Sequence, residues 1–362
     1  MDLYEKYQLK HVINADGKMT ILGVSKVSDQ VVAAQKIGGQ NFFEIADLVV
    51  QTGHYVAKLV GAEDALIVNS ASAGIVQVLA GIIGQGSGYH VYHPYTNRIT
   101  KREVILPMGH DVDYGAPVDV MLGLAGAKMV PAGYANSCTA AHLAMQITPQ
   151  TAAILYIKSH HTVQKSMLSI PAAIAVAHEH QLPLVLDAAA ESDLTKYLKM
   201  GADAVIYSGA KAIEGPASGV VFGQAKLIQW ARLQSKGIGR AMKIGKENII
   251  GLTAAIEQYL AEGPETGAAM IARLKPFVAE LQTIPGLAVS IVQDGAGREI
   301  YRASVKTAHA IEVCDQLRQG SIAIYAREYR VNEGVIEFDI RAVNQAEMAQ
   351  IVTRLREIME AY

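Results

Sequence analysis

The chain has 362 residues, of which 51% are apolar and 18% charged, with a formal net charge of −2. That length allows two domains with sizeable cores, and the near-neutral balance excludes a basic nucleic-acid surface over most of the molecule. A charged start (Met1 to Lys6), no apolar run long enough to span a bilayer and two distant cysteines, Cys138 and Cys314, without metal-ligand company together predict a cytoplasmic, reduced protein with no membrane and no metal.

In chain order, Asp16-Gly17 is a turn signal and a helix is predicted from near Ser28. Residues 44–60 carry apolar positions at helical spacing, Gly61 to Asp64 ends that helix, and Ala65 to Val68 reads as a short strand. Asn69-Ser70-Ala71-Ser72-Ala73-Gly74 then leads the strand into an apolar helix. Small and hydroxyl residues at a helix start present backbone N–H groups and the positive end of the helix dipole to an anion. A phosphate fits there, with Ser70 and Ser72 as additional donors beside Ala71; the plainer reading is an ordinary N-cap serine. Gly84, Gly86 and Gly88 follow a helix and lack dinucleotide-fingerprint spacing. Strands are predicted at Glu103 to Leu106, leading into Pro107 to His110, at Lys128 to Pro131, and at Ala152 to Ile157, which exits at Lys158-Ser159-His160-His161-Thr162. Pro171 marks the start of a helix reaching His180.

The alternation of β and α segments from 65 to 225 predicts an α/β fold: a mostly parallel, seven-stranded-type sheet sandwiched by helices. Beyond 225 the pattern is helical up to Gly263, Pro264 and Gly267, and 275–362 suits a smaller α+β C-terminal domain. The expected division is an N-terminal segment, 1–40, packing with the small domain, a large domain over 41–263 and the small domain over 264–362.

Two strand exits carry the chemistry. Leu184-Val185-Leu186 ends on Asp187, and Ala204 to Tyr207 ends on Ser208-Gly209-Ala210-Lys211, before a glycine-rich segment and a third strand, Val220 to Phe222. Strand exits are where open α/β sheets bind ligands. An acid that keeps a pyridine nitrogen protonated and a lysine that forms a Schiff base are the pair that pyridoxal phosphate (PLP) chemistry needs. With the serine-rich helix start, the three segments predict a PLP site in the large domain.

Val12 to Gly17, Gly61 to Ala65 with Val68-Asn69-Ser70, Lys158-Ser159-His160, Ser208 to Lys211 with Gly215-Pro216, and Gly239 to Lys243 resemble the selenocysteine synthase branch of fold-type I PLP enzymes. Within it they resemble the shorter ammonia-lyases that act on D-glucosaminate 6-phosphate. Selenocysteine synthases carry an extra N-terminal region that helps hold transfer RNA, and their lysine follows Ser-Gly-Asp; here only a few residues precede Val12 and the lysine follows Ser208-Gly209-Ala210. The resemblance therefore implies a PLP-dependent lyase. It removes ammonia, with loss of the β-hydroxyl, from a small phosphorylated amino-sugar acid and yields 2-keto-3-deoxy-6-phosphogluconate. The alternatives are selenium or sulfur transfer to a tRNA-bound amino acid, and a PLP-fold binding protein without catalysis.

In this reading Lys211 carries PLP and takes the Cα proton, Asp187 partners the ring nitrogen, and Ser70, Ala71, Ser72 and Ser208 line the cofactor site. His110 stacks on the ring, and His160 or Lys211 protonates the leaving hydroxyl. Arg240 and Lys243, from the basic run 226–246, bind substrate anions. Arg341, after Phe338-Asp339-Ile340, is the carboxylate-binding arginine, with Arg327 and Arg330 as rivals. The family also implies a homodimer or larger homo-oligomer with shared active sites, the glycines Gly237, Gly239 and Gly245 allowing a basic loop to approach a neighbour's phosphates.

Overall fold

A computed structural model describes residues 2–295 and 297–362. Two compact units form: one joins the N-terminal segment up to Lys26 to Pro264–Tyr362, and the other is Val27–Gly263. The N-terminal boundary thus falls at 26, against the expected 40. The reason is the helix Asp29–Gln40, which packs along the helix Lys246–Glu262 of the larger unit. Gln35 donates to Asn248 there, and the Lys246 ammonium closes the helix end on the carbonyls of Gly38 and Gly39 at 2.9 and 2.8 Å.

The larger unit is built on a seven-stranded sheet in the order Asp64–Val68, Gly219–Gly223, Ala204–Ser208, Leu184–Asp187, Thr151–Ile157, Glu103–Pro107, Lys128–Ala132. Gly219–Gly223 is the strand antiparallel to its neighbours; the remaining pairs are parallel. Successive side chains of a strand point to opposite faces, and here they feed two separate cores. Leu184, Leu186, Val205 and Tyr207 enter one, which includes residues of the helices Ile45–Val60, Ile170–Glu179 and Lys246–Glu262. Val185, Ala204 and Ile206 enter the other, with residues of Ala71–Gly84, Val118–Leu124 and Ala225–Leu233. A sheet covered on both faces explains why these strands read as continuous apolar runs rather than as alternating ones.

The smaller unit has its own core, around Phe277, Phe338 and Leu355. It contains a parallel pair, His11–Ala15 with Ile322–Ala326, and an antiparallel three-stranded sheet. Three helices, Gly267–Leu281, Ala310–Arg318 and Gln345–Met359, supply the rest. Among the described residues no helix is long and apolar enough to cross a membrane.

Candidate active site

Parallel strands deliver their C-terminal ends to one edge of the sheet, and main-chain bonds fix the segments that leave that edge. Lys158 N donates to Asp187 O at 2.8 Å, Ala188 N to Ile206 O at 2.9 Å and Ser208 N to Ala189 O at 3.2 Å. The glycine-rich stretch folds back on itself, Gly209 N donating to Ser218 O and Gly215 N to Gly209 O, so Lys211 is held in a closed loop rather than on a tether.

Asp187 is buried and accepts the Ala189 N–H at 3.1 Å. Burial, which disfavours the charged carboxylate, raises its pKa to about 6; the Ala189 N–H and the Lys211 ammonium pull the other way. Lys211 is therefore close enough for its charge to act on the carboxyl. The two residues, 24 positions apart in sequence, stand at the exits of adjoining parallel strands.

The antiparallel strand supplies the third component. Gly219 pairs with Val68 on one side and Ser208 on the other, so its start bridges the turn before Ser70 to the loop before Lys211. A Cβ at 219 would lie 2.6 Å from Ser70 C and 2.7 Å from Ala71 N, which makes glycine a steric requirement for the serine turn to seat here. Ser70 is the N-cap of Ala71–Gly84, its Oγ accepting the Ala73 N–H at 3.0 Å. The N–H groups of Ala71 and Ser72 precede any intrahelical acceptor. Both readings of Ser70 hold at once: a hydroxyl that caps a helix by accepting still has its hydrogen to donate.

Sequence reasoning missed Tyr114. Its hydroxyl lies 3.3 Å from the Ser72 hydroxyl; burial raises the phenol's pKa, the Ser72 contact pulls the other way, and the charges of Asp187 and Asp113 add to the rise. It thus sits beside the serine turn, with the Asp187 charge near enough to act on its phenol. A tyrosine in the turn Asp113-Tyr114-Gly115 carries no periodic signal; only its position after a strand that exits toward the same edge could have marked it.

The other predicted residues fall in several places. His110 is buried, its Nδ1 accepts the Ile157 N–H at 3.3 Å, and its ring meets Tyr156 edge-on at 4.5 Å. Burial, reinforced by the Lys158 charge, lowers its pKa to about 4, so it is neutral at pH 7. With Lys158 and Tyr197 it lines a cleft of about 300 Å³ that contains neither Asp187 nor Lys211. His160 is exposed at the strand exit, its ring 4.0 Å from that of His161. Ser208 is half-buried at the end of its strand.

Arg240 and Lys243 are exposed, whereas others of the basic run are used within the chain: Arg232 pairs with Asp64, and Lys226 lies over the Trp230 ring. The glycines of that loop serve the chain's own packing. A Cβ at Gly237 would lie 2.2 Å from Val91 O, and one at Gly239 would lie 2.8 Å from both Gln234 O and Gln77 Oε1. In the smaller unit Arg341 is held by the buried Asp339 through two bonds of 2.9 and 2.7 Å, and Arg330 by Glu333. Arg327 donates to the main-chain carbonyl of Asp16 at 3.1 Å and lies over Tyr329.

The donor set in the larger unit fits PLP. A helix start with hydroxyls suits a phosphate, a buried carboxyl whose charge is disfavoured gains from a protonated ring nitrogen, and the lysine acts on that same carboxyl. Among the described residues no cluster of His, Cys, Asp and Glu is arranged to hold a metal.

Comparison with known proteins agrees with this geometry. The family model for L-seryl-tRNA selenium transferase (SelA) matches residues 48–321. The D-glucosaminate-6-phosphate ammonia lyase of Salmonella typhimurium is 46% identical over 99% of this chain and 98% of its own length. A 5'-C-glycyluridine monooxygenase-decarboxylase from a Streptomyces species is 33% identical over 98% of this chain and 92% of its own. A solved D-glucosaminate-6-phosphate ammonia-lyase superposes with a TM-score of 0.94 at 45% identity, covering 100% of this chain and 99% of that one. The fold is that of the fold-type I PLP enzymes, and the chain belongs to the L-seryl-tRNA selenium transferase (SelA) family.

Proposed function

We propose that this chain is a PLP-dependent ammonia-lyase that converts D-glucosaminate 6-phosphate into 2-keto-3-deoxy-6-phosphogluconate and ammonia. The observation that supports the chemistry is the placement of the buried Asp187 and of Lys211 at the exits of adjoining parallel strands, which main-chain bonds from Ala188 to Ile206 and from Ser208 to Ala189 tie together. The substrate rests on the full-length likeness to the Salmonella lyase. The relative that is a monooxygenase-decarboxylase shows that family membership alone does not set the reaction.

Bound PLP supplies an electron sink for the substrate's Cα. The chain's residues do the rest. Ser70, Ala71 and Ser72 would hold the phosphate, Asp187 would keep the ring nitrogen's proton, and Ser208 would line the site. Lys211 would hold the cofactor and, as a free amine, would take the Cα proton; an amine beside a second cationic system has the lowered pKa this needs. His160 or Lys211 gives a proton to the departing β-hydroxyl, which leaves as water. A second water then releases ammonia and leaves the keto acid, so the net change is substrate to keto acid plus ammonia. Arg240 and Lys243 are assigned to the substrate's anionic groups, in a homo-oligomer whose sites are completed by a neighbouring copy.

The test is turnover. PLP-loaded protein given D-glucosaminate 6-phosphate is expected to release ammonia and keto acid in equal amounts, and the unphosphorylated acid is expected to react at least about tenfold less efficiently. Lys211→Ala should release neither product. Ammonia no higher than in Lys211→Ala would overturn the lyase reading and leave group transfer or binding.

A further inference from the structure

We propose that Tyr114 is a positioning residue of the phosphate cup: its hydroxyl holds the Ser72 hydroxyl so that Ser72 donates its own hydrogen to the cofactor phosphate. This deepens the reading above and rests on the phosphate lying at Ser70 to Ser72.

Ser72 is in the first turn of Ala71–Gly84, and its hydroxyl lies 3.3 Å from that of Tyr114. Tyr114 reaches it from a different segment, a turn made stiff by the bridge Asp113↔Pro117 and by the Gly115 N–H bound to Asp113 Oδ1 at 2.7 Å. The phenol ring packs against the core beneath the helix. Two hydroxyls in contact share one hydrogen between them and leave the other to point outward. The phenol is the stronger acid of the two, with an ordinary pKa near ~10, so Tyr114 donates to Ser72 Oγ and the serine hydrogen is the one presented. An anion at the cup favours that direction, because each bond in such a chain polarises the next. The 3.3 Å separation is long for an O–H···O bond, whose usual distance is about 2.7–2.8 Å, and is expected to shorten when an anion pulls on the serine.

The test is a titration of the cofactor-free full chain with PLP, followed by absorbance, beside the same titration with pyridoxal, which lacks the phosphate. Tyr114→Phe removes only the hydroxyl and is expected to weaken PLP binding about 3–10-fold, the worth of one such hydrogen bond, while leaving pyridoxal binding as in wild type. Ser72→Ala should lose a similar factor, and the double variant should be no weaker than Ser72→Ala, since the tyrosine acts through the serine. Tyr114→His, which restores a donor, should recover part of the loss should phenylalanine disturb folding. Equal weakening toward PLP and pyridoxal, additive losses in the double variant, or no change in either ligand would overturn the assignment. Borohydride reduction of the wild-type complex keeps the outcomes separate: an adduct on Lys211 leaves the PLP site standing whichever way Tyr114 behaves.

Discussion

Asp187 shows at the residue scale how burial prepares a group for a partner. Its pKa of about 6 lies above the 3.8 of a free aspartate, so the native chain binds the proton more tightly than the unfolded one. Stability from that proton is full below pH ~4 and is lost as pH rises to about 6, amounting to roughly 3 kcal/mol at most. Asp187→Asn keeps the shape and the acceptor for Ala189 without the charge. The cofactor-free variant is therefore expected to equal wild type in acid and to exceed it in melting temperature above pH 6, while losing the ability to hold a ring proton. Calorimetry across pH 4 to 8 checks this; parallel pH profiles for both proteins would contradict it. The same residue was legible in the sequence because an acid ending an apolar strand has one place to go in a parallel sheet. Tyr114 was not, since a polar turn hides which way its ring is sent.

Elements set where these residues meet. Gly219 lies between Val68 and Ser208 in the sheet, and a side chain there collides with the main chain of Ser70 and Ala71. Gly219→Val is expected to displace the serine turn, lowering the melting temperature and PLP affinity together by at least about tenfold in the latter. Unchanged affinity, measured by titration, would place the phosphate elsewhere. The C-terminal arginines show the limit of reading from a strand exit. Phe338-Asp339-Ile340-Arg341 does place an arginine after a strand, but a carboxylate two residues earlier takes it: Asp339 is fully buried and binds both Arg341 and Arg302. Arg341→Ala is thus expected to act on stability, removing about 2–4 kcal/mol by leaving a buried charge half-compensated, in addition to any effect on KM. Thermal melts separate the two; an unchanged melting temperature with a raised KM would make Arg341 a pure substrate ligand. Pairing of this kind depends on which strands of the smaller unit lie side by side, and spacing alone does not reveal it.

At the scale of the whole molecule, the alternation of strands and helices from 65 to 225 made the parallel sheet legible, because burial of both faces leaves continuous apolar runs. The seat of Asp29–Gln40 was not: its contacts are with Lys246–Glu262, some two hundred positions on, and no local pattern carries that. Sharing of sites between copies is tested by mixing. An inactive Lys211→Ala chain combined with an inactive Arg240→Ala chain, under conditions that exchange subunits, is expected to regain a fraction of wild-type activity if Arg240 serves a neighbour's site. Verified exchange without recovery would confine Arg240 to its own chain or remove it from the site.

The central claim is that one lysine, at the exit of Ala204–Ser208, carries the cofactor opposite Asp187. Borohydride reduction of the PLP-loaded protein, followed by peptide mass mapping, tests it most directly. The account predicts a single pyridoxyl adduct on Lys211, absent from Lys211→Ala; an adduct on another lysine, or an equal yield from the variant, would contradict it.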